Sequence, residues 1–386
     1  MAIGIRQVWM SKLRLGILFG GRSGEHEVSL LSARSVLDAI NLEKYHVTQI
    51  GITHDGEWLV GDDVLNAFEE NRLESLKPAT LLPDPTRSGV FELQSNHSQE
   101  VLAPLQDIDV FFPVLHGTFG EDGTIQGLFE MAGIAYVGAG VLGSALGMDK
   151  GVLKDVMRSH SIPVVESFVT TRQEIENDLE KVVLRASKLA PYPLFVKPAN
   201  LGSSVGITKC FSASDLMEGL IEAARFDRRV LVERGVDARE IEISVLGNDS
   251  PQASVPGEIL PSREFYSYEA KYLDNTSGLI IPAPISEELT AQVQDYAVRA
   301  YQAIDCSGMA RVDFLLEKDD PTSGHKGQLY LNEVNTIPGF TQISMYPKLW
   351  QASGLPYSEL IDRLIDLALE RKIDRDRTER RYRRES

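Results

Sequence analysis

Four polar side chains stand in two apolar stretches late in the sequence. Arg311 and Asp313 lie in one stretch, and Glu333 and Asn335 lie in the other. Residues two apart in a β-strand face the same side, so each pair shares a face if its stretch is a strand. If the strands pair, the oxygen atoms of Asp313, Glu333 and Asn335 form a set that suits Mg²⁺. The pattern therefore predicts a magnesium site; the alternative is a row of ordinary solvent-facing polar residues.

Arg311 adds a second function to this group. A guanidinium beside the carboxylates can clamp a carboxylate or a phosphate with two hydrogen bonds. We therefore predict that Arg311 contacts a bound anion.

A loop rich in glycine and serine predicts a phosphate site. Apolar stretches flank it between residues 193 and 211, and Ser203 and Ser204 stand between two glycines. Such a loop offers hydroxyl and backbone N–H groups to phosphates, and Lys197 leaves the first stretch toward it. No Gly-Lys-Ser/Thr opens a helix here, so this is not a Walker A loop. A hairpin without a ligand is the alternative.

Three more charged residues fit a nucleotide pocket. Lys150 begins a predicted helix, Glu233 ends a short apolar strand, and Glu240 follows soon after. The strand edge at Glu233 can hydrogen-bond an adenine, and Glu240 can accept from ribose hydroxyls. Each signal is weak alone, because a glutamate at a strand end is usually just solvated.

The elements that must position these groups follow an α/β pattern. The chain has 386 residues, which is long enough for two or three domains. The first unit is predicted to contain strands over 13–19, 45–52 and 110–115, a glycine turn, a helix over 25–40 and, over 61–106, a variable insertion with short strands. A glycine-rich junction is predicted over 133–143.

Two further units are predicted after this junction. The second contains helices over 148–160 and 172–190, an extended segment over 162–170, a strand, loop and strand over 193–211, and a closing strand over 230–233. The third contains strands over 240–246, 308–316 and 328–334, helices over 287–304 and 357–371, and an irregular stretch over 257–284. Such a stretch is typical of a lid. An arginine-rich tail, predicted to be solvated, ends the chain.

Composition limits the classes of function. The net charge of −17 argues against a general nucleic-acid or membrane-surface binder, because phosphates and anionic lipids favour lysine and arginine. Cys210 and Cys306 have no metal-type spacing. No secretory signal and no apolar run long enough to cross a bilayer is found, so we expect a cytoplasmic enzyme.

Motifs in a fixed order connect these groups to a known family. The motifs are Gly20-Gly21-x-Ser23-x-Glu25, His116-Gly117, Gly120-Glu121-Asp122-Gly123, Met148-Asp149-Lys150, Lys197-Pro198, Gly202-Ser203-Ser204-Val205-Gly206, Glu269-Ala270-Lys271-Tyr272, Arg311-Val312-Asp313, Glu333-Val334-Asn335-Thr336, Pro338-Gly339 and Ser344-Met345. The set resembles the D-alanine–D-alanine ligase family of the ATP-grasp superfamily, from about residue 13 to residue 370.

The resemblance implies a fold and a reaction. The fold would be a three-domain ATP-grasp fold, with a Rossmann-like preATP-grasp domain over 12–140, a central subdomain over 141–234, a C-terminal subdomain over 235–371 and a charged tail over 372–386. One D-alanine carboxylate would attack the γ-phosphate of ATP, and the amine of a second D-alanine would displace phosphate from the acylphosphate. The product would be a peptidoglycan precursor, and the enzyme would be a homodimer by analogy.

The resemblance also implies a role for each site residue. Glu25 would bind the ammonium of the first D-alanine, in a hydrogen-bonded set with Ser203 and Tyr272. His116 would lie near the reacting carboxyl group, Arg311 and the Gly339 backbone would stabilise the tetrahedral centre, and Ser344 would bind the second D-alanine carboxylate. The phosphates of ATP would be contacted by Lys150, Lys197, Lys271, Ser203 and Ser204, and the nucleoside by Glu233 and Glu240. Two Mg²⁺ (or Mn²⁺) ions would be bound by Asp313, Glu333 and Asn335.

Two alternatives stay open at this stage. A related ligase would use D-serine or D-lactate as its second substrate, although Tyr272 on the predicted lid favours the dipeptide. A non-catalytic nucleotide-binding protein would have no need for Arg311, Asp313 and Lys271 together. A dinucleotide enzyme is excluded, because Gly20-Gly21-x-x-Gly24 lacks the Gly-x-Gly-x-x-Gly spacing.

Overall fold

The computed structural model describes residues 12–87, 89–96, 99–203, 205–260, 278–319 and 326–379. The strands are β1 Leu13–Gly20, β2 Tyr45–Ile52, β3 Trp58–Val60, β4 Lys77–Leu81, β5 Val90–Asn96, β6 Gln99–Gln106, β7 Val110–Pro113, β8 Ala135–Tyr136, β9 Ser167–Thr171, β10 Leu194–Pro198, β11 Thr208–Cys210, β12 Arg229–Arg234, β13 Ala238–Gly247, β14 Gln252–Ala253, β15 Gly257–Leu260, β16 Gly278–Ile280, β17 Gly308–Glu317 and β18 Leu329–Asn335.

Helices alternate with these strands. They are α1 His26–Ala39, α2 Val64–Glu69, α3 Thr124–Ala132, α4 Val141–Met148, α5 Lys150–Ser159, α6 Arg172–Asn177, α7 Leu179–Leu189, α8 Ala213–Phe226, α9 Glu287–Ala303, α10 Met345–Ala352 and α11 Tyr357–Asp376, with a 3₁₀ turn at Leu73–Ser75. Within the described ranges, no helix combines the length and the apolar character that crossing a membrane requires. The α/β class predicted from the sequence is confirmed.

The first sheet has the order β6-β5-β4-β3-β2-β1-β7-β8. Its centre is parallel, with β1 between β2 and β7, and β1 is buried along nearly its whole length. Parallel neighbours place their carboxyl ends at one edge, so the loop after β1 and the loop after β7 lie side by side. The segment predicted as an insertion of short strands differs from expectation, because β5 and β6 span seven and eight residues and continue the same sheet.

The second sheet is antiparallel, in the order β11-β10-β12-β9. Strand β12 is the last strand of this unit along the chain and lies inside the sheet, where it buries Val230, Leu231 and Val232. The single helix predicted over 172–190 is broken, because the Asp178 side chain accepts the Lys181 N–H and starts α7. Helix α8, which the sequence patterns did not indicate, packs its apolar face on this sheet.

The third sheet has the order β16-β15-β13-β17-β18, and β14 pairs with β13. The stretch predicted to be irregular over 257–284 begins and ends in strands, since β15 and β16 pair antiparallel. Backbone pairing thus extends into both ends of that stretch, while its middle, residues 261–277, lies outside the described residues.

Helix α11 ties the first sheet to the third. Its Arg371 donates to the carbonyl of Tyr136 at 3.0 Å and to the Ser307 hydroxyl at 2.6 Å, and its guanidinium lies 4.2 Å from the Tyr136 ring centre. The helix continues five residues into the predicted tail, because Arg375 pairs with Glu130 of the first unit. Residues 380–386 lie outside the described residues.

Candidate active site

A cleft of about 1320 Å³ lies where the three sheets approach one another. It is lined by every predicted site residue that the structure describes, namely Glu25, His116, Lys150, Lys197, Ser203, Glu233, Glu240, Arg311, Asp313, Glu333, Asn335, Gly339 and Ser344. Ser204, Lys271 and Tyr272 lie outside the described residues. Residues from distant parts of the chain therefore share one cavity.

Three acidic residues form a row across the third sheet. Strands β17 and β18 pair antiparallel, which is the condition on which the predicted magnesium site depends, and Asp313 lies directly opposite Glu333. On the other side of β17, Asp313 lies opposite Glu242 of β13. Side chains directly opposite one another stand about 5 Å apart on one face. Three carboxylates so arranged repel one another unless cations lie among them.

Arg311 is a cation that contacts two of these carboxylates. Its Nε and Nη2 atoms donate to the two oxygens of Asp313, both at 2.7 Å, and Nε also lies 2.9 Å from Glu242. Asn335, opposite Arg311, donates to Asp313 at 2.9 Å. The Arg311 side chain is only 14% exposed. A buried bidentate pair of this kind fixes the plane of the guanidinium.

Glu25 stands at the start of α1, where the first sheet meets the phosphate loop. Its carboxylate accepts a hydrogen bond from the Ser203 hydroxyl. A Cβ atom at Gly117 would lie 2.4 Å from this carboxylate and one at Gly202 would lie 2.7 Å from it, and Gly117 has a φ of +74°. Only glycine fits such a conformation at such a distance. The two glycines therefore make room for Glu25.

Lys150 connects the phosphate loop to the acidic row. Its Nζ atom donates to the Leu201 carbonyl at 2.7 Å and lies 3.8 Å from Glu333. The lysine is held at the start of α5, because the Asp149 side chain accepts the N–H groups of Gly151 and Val152 and also pairs with Arg229. The Asp149 cap therefore aims Lys150 into the cleft.

Glu233 is held by two lysines. Lys197 donates to one of its oxygens at 2.7 Å, and Lys154 lies 2.5 Å from the other. Burial would raise the pKa of Glu233, but the two ammonium groups outweigh it and lower that pKa to about 2. Glu233 is therefore ionised. Lys197, which is predicted to contact a phosphate of ATP, forms an ion pair with this carboxylate instead.

His116 and Glu121 bind the backbone of the loop that carries Gly339. The His116 Nδ1 atom lies 2.9 Å from the Ile337 carbonyl, and Nε2 lies 2.9 Å from the Ser32 hydroxyl. A carbonyl only accepts, so Nδ1 carries the proton; burial lowers the pKa of His116 and favours the neutral ring. Glu121 accepts the N–H of Gly117 at 2.9 Å and that of Ile337 at 3.3 Å.

Burial makes Glu121 an unusual acid. Together with the nearby Glu25 carboxylate, burial raises the pKa of Glu121 to about 8, although two backbone N–H groups act in the opposite direction. The folded protein therefore holds a proton on Glu121 at pH values where an exposed carboxyl has lost it.

This shift predicts a pH dependence of stability. We expect the free energy of unfolding to fall as the pH rises from 4.5 to about 8, because the folded pKa lies above the unfolded one. The contribution is complete below the unfolded pKa and is lost as the pH rises through the folded pKa. Its slope is at most about 1.4 kcal/mol per pH unit. Urea unfolding of wild type and Glu121→Gln measures it; parallel pH curves would contradict the prediction.

Ser344 marks the start of α10, a helix that the sequence patterns did not indicate. Its hydroxyl accepts the Thr341 N–H at 3.1 Å and lies 2.7 Å from the Thr341 hydroxyl. The first helical N–H groups carry partial positive charge and suit an anion. Proline is tolerated in the first turn of a helix, and Pro347 lies in the first turn of α10. A serine three residues before a proline was therefore the signal in the sequence that could have indicated the start of this helix.

Three buried charged residues of the cleft region were not assigned roles from the sequence. Glu242 follows Glu240 by two residues on β13, and Lys154 follows Lys150 by four on α5, so strand and helix periodicity could have placed each beside a predicted site residue. Glu121 stands in a quoted motif, but its partner Ile337 is 216 residues away. No local pattern reveals that contact.

Known proteins match the chain along nearly its whole length. The family model described as "D-ala D-ala ligase N-terminus" matches residues 14–139, and the one described as "D-ala D-ala ligase C-terminus" matches residues 156–366. A D-alanine–D-alanine ligase of Natranaerobius thermophilus is 47% identical over 95% of this chain and 98% of its own length. One of Acetivibrio thermocellus is 49% identical over 94% of this chain and 97% of its own.

Solved structures give the same picture. The D-alanine-D-alanine ligase from Coxiella burnetii has a TM-score of 0.77 and 36% identity, over 95% of this chain and 96% of that one. The VanG D-Ala:D-Ser ligase from Enterococcus faecalis has a TM-score of 0.79 and 36% identity, over 93% of this chain and 100% of that one.

Proposed function

The chain belongs to the D-alanine–D-alanine ligase family, and from this premise we propose how its cleft carries out the family's reaction. It is an ATP-dependent ligase with the ATP-grasp fold, it joins two D-alanines, and its product serves peptidoglycan synthesis. The residue roles, the metal ions and the order of steps below are the proposal.

ATP binds between the second and third sheets. The Ser203 loop and Lys150 contact the phosphates, and the β12 edge at Glu233 contacts adenine. Glu240, on β13, contacts the ribose. The ion pair of Lys197 with Glu233 supports this assignment in part, because Lys197 lines the cleft and can turn to a phosphate while Lys154 stays on the carboxylate.

Asp313, Glu333 and Asn335 fit a pair of Mg²⁺ or Mn²⁺ ions. Their donor atoms are oxygens on adjacent strands, and the three carboxylates of the row carry one more charge than Arg311 and Lys150 together. Metal ions bound there would neutralise charge on the transferring phosphoryl group. Asp313 has to exchange part of its contact with Arg311 for this, and Glu242 keeps that arginine in place.

The first D-alanine lies between Glu25 and the phosphate loop. Glu25 binds its ammonium, and Ser203 orients that carboxylate, as their hydrogen bond supports. A carboxylate oxygen of the substrate attacks the γ-phosphorus, the bond from that phosphorus to the β–γ bridging oxygen breaks, and ADP leaves. The D-alanyl phosphate is a better electrophile than the carboxylate from which it forms.

The second D-alanine lies against the start of α10. Ser344 and the helix N-terminus bind its carboxylate. Its amine nitrogen, after losing a proton, attacks the carbonyl carbon of D-alanyl phosphate, the carbon–oxygen bond to phosphate breaks, and inorganic phosphate leaves. Arg311 and the Gly339 N–H stabilise the oxyanion of the tetrahedral centre.

The predicted lid completes this account. Lys271 contacts phosphate and Tyr272 joins the Glu25 and Ser203 set; both remain predictions, because they lie outside the described residues. Closing a lid excludes water, which would otherwise hydrolyse the acylphosphate. We also propose that the enzyme acts in the cytoplasm as a homodimer, with no nucleic-acid or membrane partner, and light scattering of the purified protein tests the dimer.

One observation carries the proposal: a single cleft collects Glu25 with Ser203, the acidic row with Arg311, and the helix start at Ser344. Purified protein with ATP, Mg²⁺ and D-alanine should release phosphate and form the dipeptide. Supplying D-serine and D-lactate in competition tests the second substrate, and we expect D-alanyl-D-alanine to dominate. Well-folded protein that makes no dipeptide would overturn the proposal. The alternative second substrates and a non-catalytic protein are not favoured, since relatives 47–49% identical are D-alanine–D-alanine ligases.

A further inference from the structure

We propose that Glu121 and His116 are positioning residues that hold the Ile337 peptide groups and thereby aim the Gly339 N–H at the reacting centre. The inference rests on the proposed function, in which Gly339 helps to stabilise the tetrahedral oxyanion. It assigns a role to Glu121, and it proposes that His116 binds the protein backbone rather than the substrate.

Both backbone polar groups of Ile337 are bound by the loop after β7. Glu121 accepts the Ile337 N–H at 3.3 Å, and His116 donates to the Ile337 carbonyl at 2.9 Å. These side chains lie in a loop that follows a strand of the first sheet, whereas Ile337 follows β18 of the third sheet. The N–H and the carbonyl of Ile337 are thus both hydrogen-bonded by side chains of another unit of the protein.

The far end of the same segment is also held. Ser32, on α1, lies 2.9 Å from the His116 Nε2 atom and accepts the Phe340 N–H at 3.4 Å. Pro338 has a fixed φ, so few torsions remain between the two anchors. Gly339 lies between Pro338 and Phe340 and lines the cleft. Its direction is therefore set by contacts on either side.

The hydrogen bonds of His116 and Glu121 to protein groups argue against a direct catalytic role of these two side chains. Both ring nitrogens of His116 contact protein groups, and both Glu121 oxygens accept backbone N–H groups. A glutamine of similar size offers one oxygen and a donor group in place of the two oxygens that accept the Gly117 and Ile337 N–H groups.

Two substitutions of His116 separate positioning from direct catalysis. In His116→Asn the amide nitrogen takes the place of Nδ1 and can still donate to Ile337; in His116→Gln it takes the place of Nε2 and cannot. We expect kcat to fall about 10²-fold in His116→Gln, as a misplacement of about 1 Å can cause, and to stay within about tenfold of wild type in His116→Asn. KM for ATP should stay within about twofold in both. Equal losses in the two variants would overturn the assignment.

Glu121→Gln tests the hydrogen bond from the Ile337 N–H to Glu121. We expect a lower kcat, an unchanged KM for ATP and faster hydrogen exchange at the Ile337 amide; wild-type kcat with unchanged exchange would overturn the proposal. Combining it with His116→Gln should cost less than the product of the single effects, because both act on one residue. Asp122→Asn, in the same loop but bonded to Phe119 and Thr124, is the matched control. If the wild-type protein forms no dipeptide, the proposed function is wrong. If it forms dipeptide but His116→Asn and His116→Gln lose kcat equally, only this inference is wrong.

Discussion

Replacing Arg311 with lysine is expected to lower kcat by about 10²- to 10³-fold, the loss typical of removing one donor to a developing oxyanion. The guanidinium is held by Asp313 and Glu242 in a buried part of the cleft, with its plane fixed. Lysine keeps the positive charge but has a single point of contact and a flexible stem, so it cannot hold both carboxylates and face the substrate. Initial rates of ADP and dipeptide formation at saturating D-alanine measure the effect.

The matched control is Arg14→Lys. Arg14 makes a similar two-atom pair with Asp109, with contacts of 3.1 and 2.6 Å, but it lies in the first sheet away from the cleft lining. We expect its kcat to stay within about twofold of wild type. An Arg311→Lys enzyme with near wild-type kcat would remove Arg311 from the reacting centre, since its charge alone would then suffice.

Glu333→Gln is expected to lower kcat by a similar factor and to raise the Mg²⁺ concentration needed for half-maximal rate. Glu333 lies opposite Asp313 at one end of the acidic row, and a neutral amide there removes the charge that would attract the ions. Metal ions are worth several kcal/mol to phosphoryl transfer, and each 1.4 kcal/mol is tenfold in rate. Rates titrated with Mg²⁺, and Mn²⁺ binding followed by electron paramagnetic resonance, measure the two effects.

Glu92→Gln is the control for this second prediction. Glu92 is also a glutamate on a strand, and it pairs with Lys77 at 3.1 Å, but it belongs to the first sheet and does not line the cleft. It should leave the Mg²⁺ titration unchanged. If Glu333→Gln also leaves both the Mg²⁺ requirement and Mn²⁺ binding unchanged, the metal ions are held by other residues.

Short spacings along the chain are enough to show which groups stand close together. Strand alternation puts Arg311 with Asp313 and Glu333 with Asn335 on shared faces, whatever the rest of the fold does. The glycine and serine loop after Lys197 and the turn before Glu25 are likewise local features. Short apolar runs were also sufficient to indicate the central strands β1 and β7, because strands buried on both faces carry few polar residues.

Which of these local groups contact one another depends on how the three sheets pack. Glu25 touches Ser203 across 178 residues, and His116 reaches Ile337 across 221. Such contacts arise when separate sheets pack, and no repeat along the chain encodes them. The same reason explains why Glu242, Lys154 and Glu121 became visible only in the structure: each looks like an ordinary charged residue until its burial and its partner are known. Local spacing specified the chemistry that each segment offers, whereas the packing of three sheets specified where those segments act together.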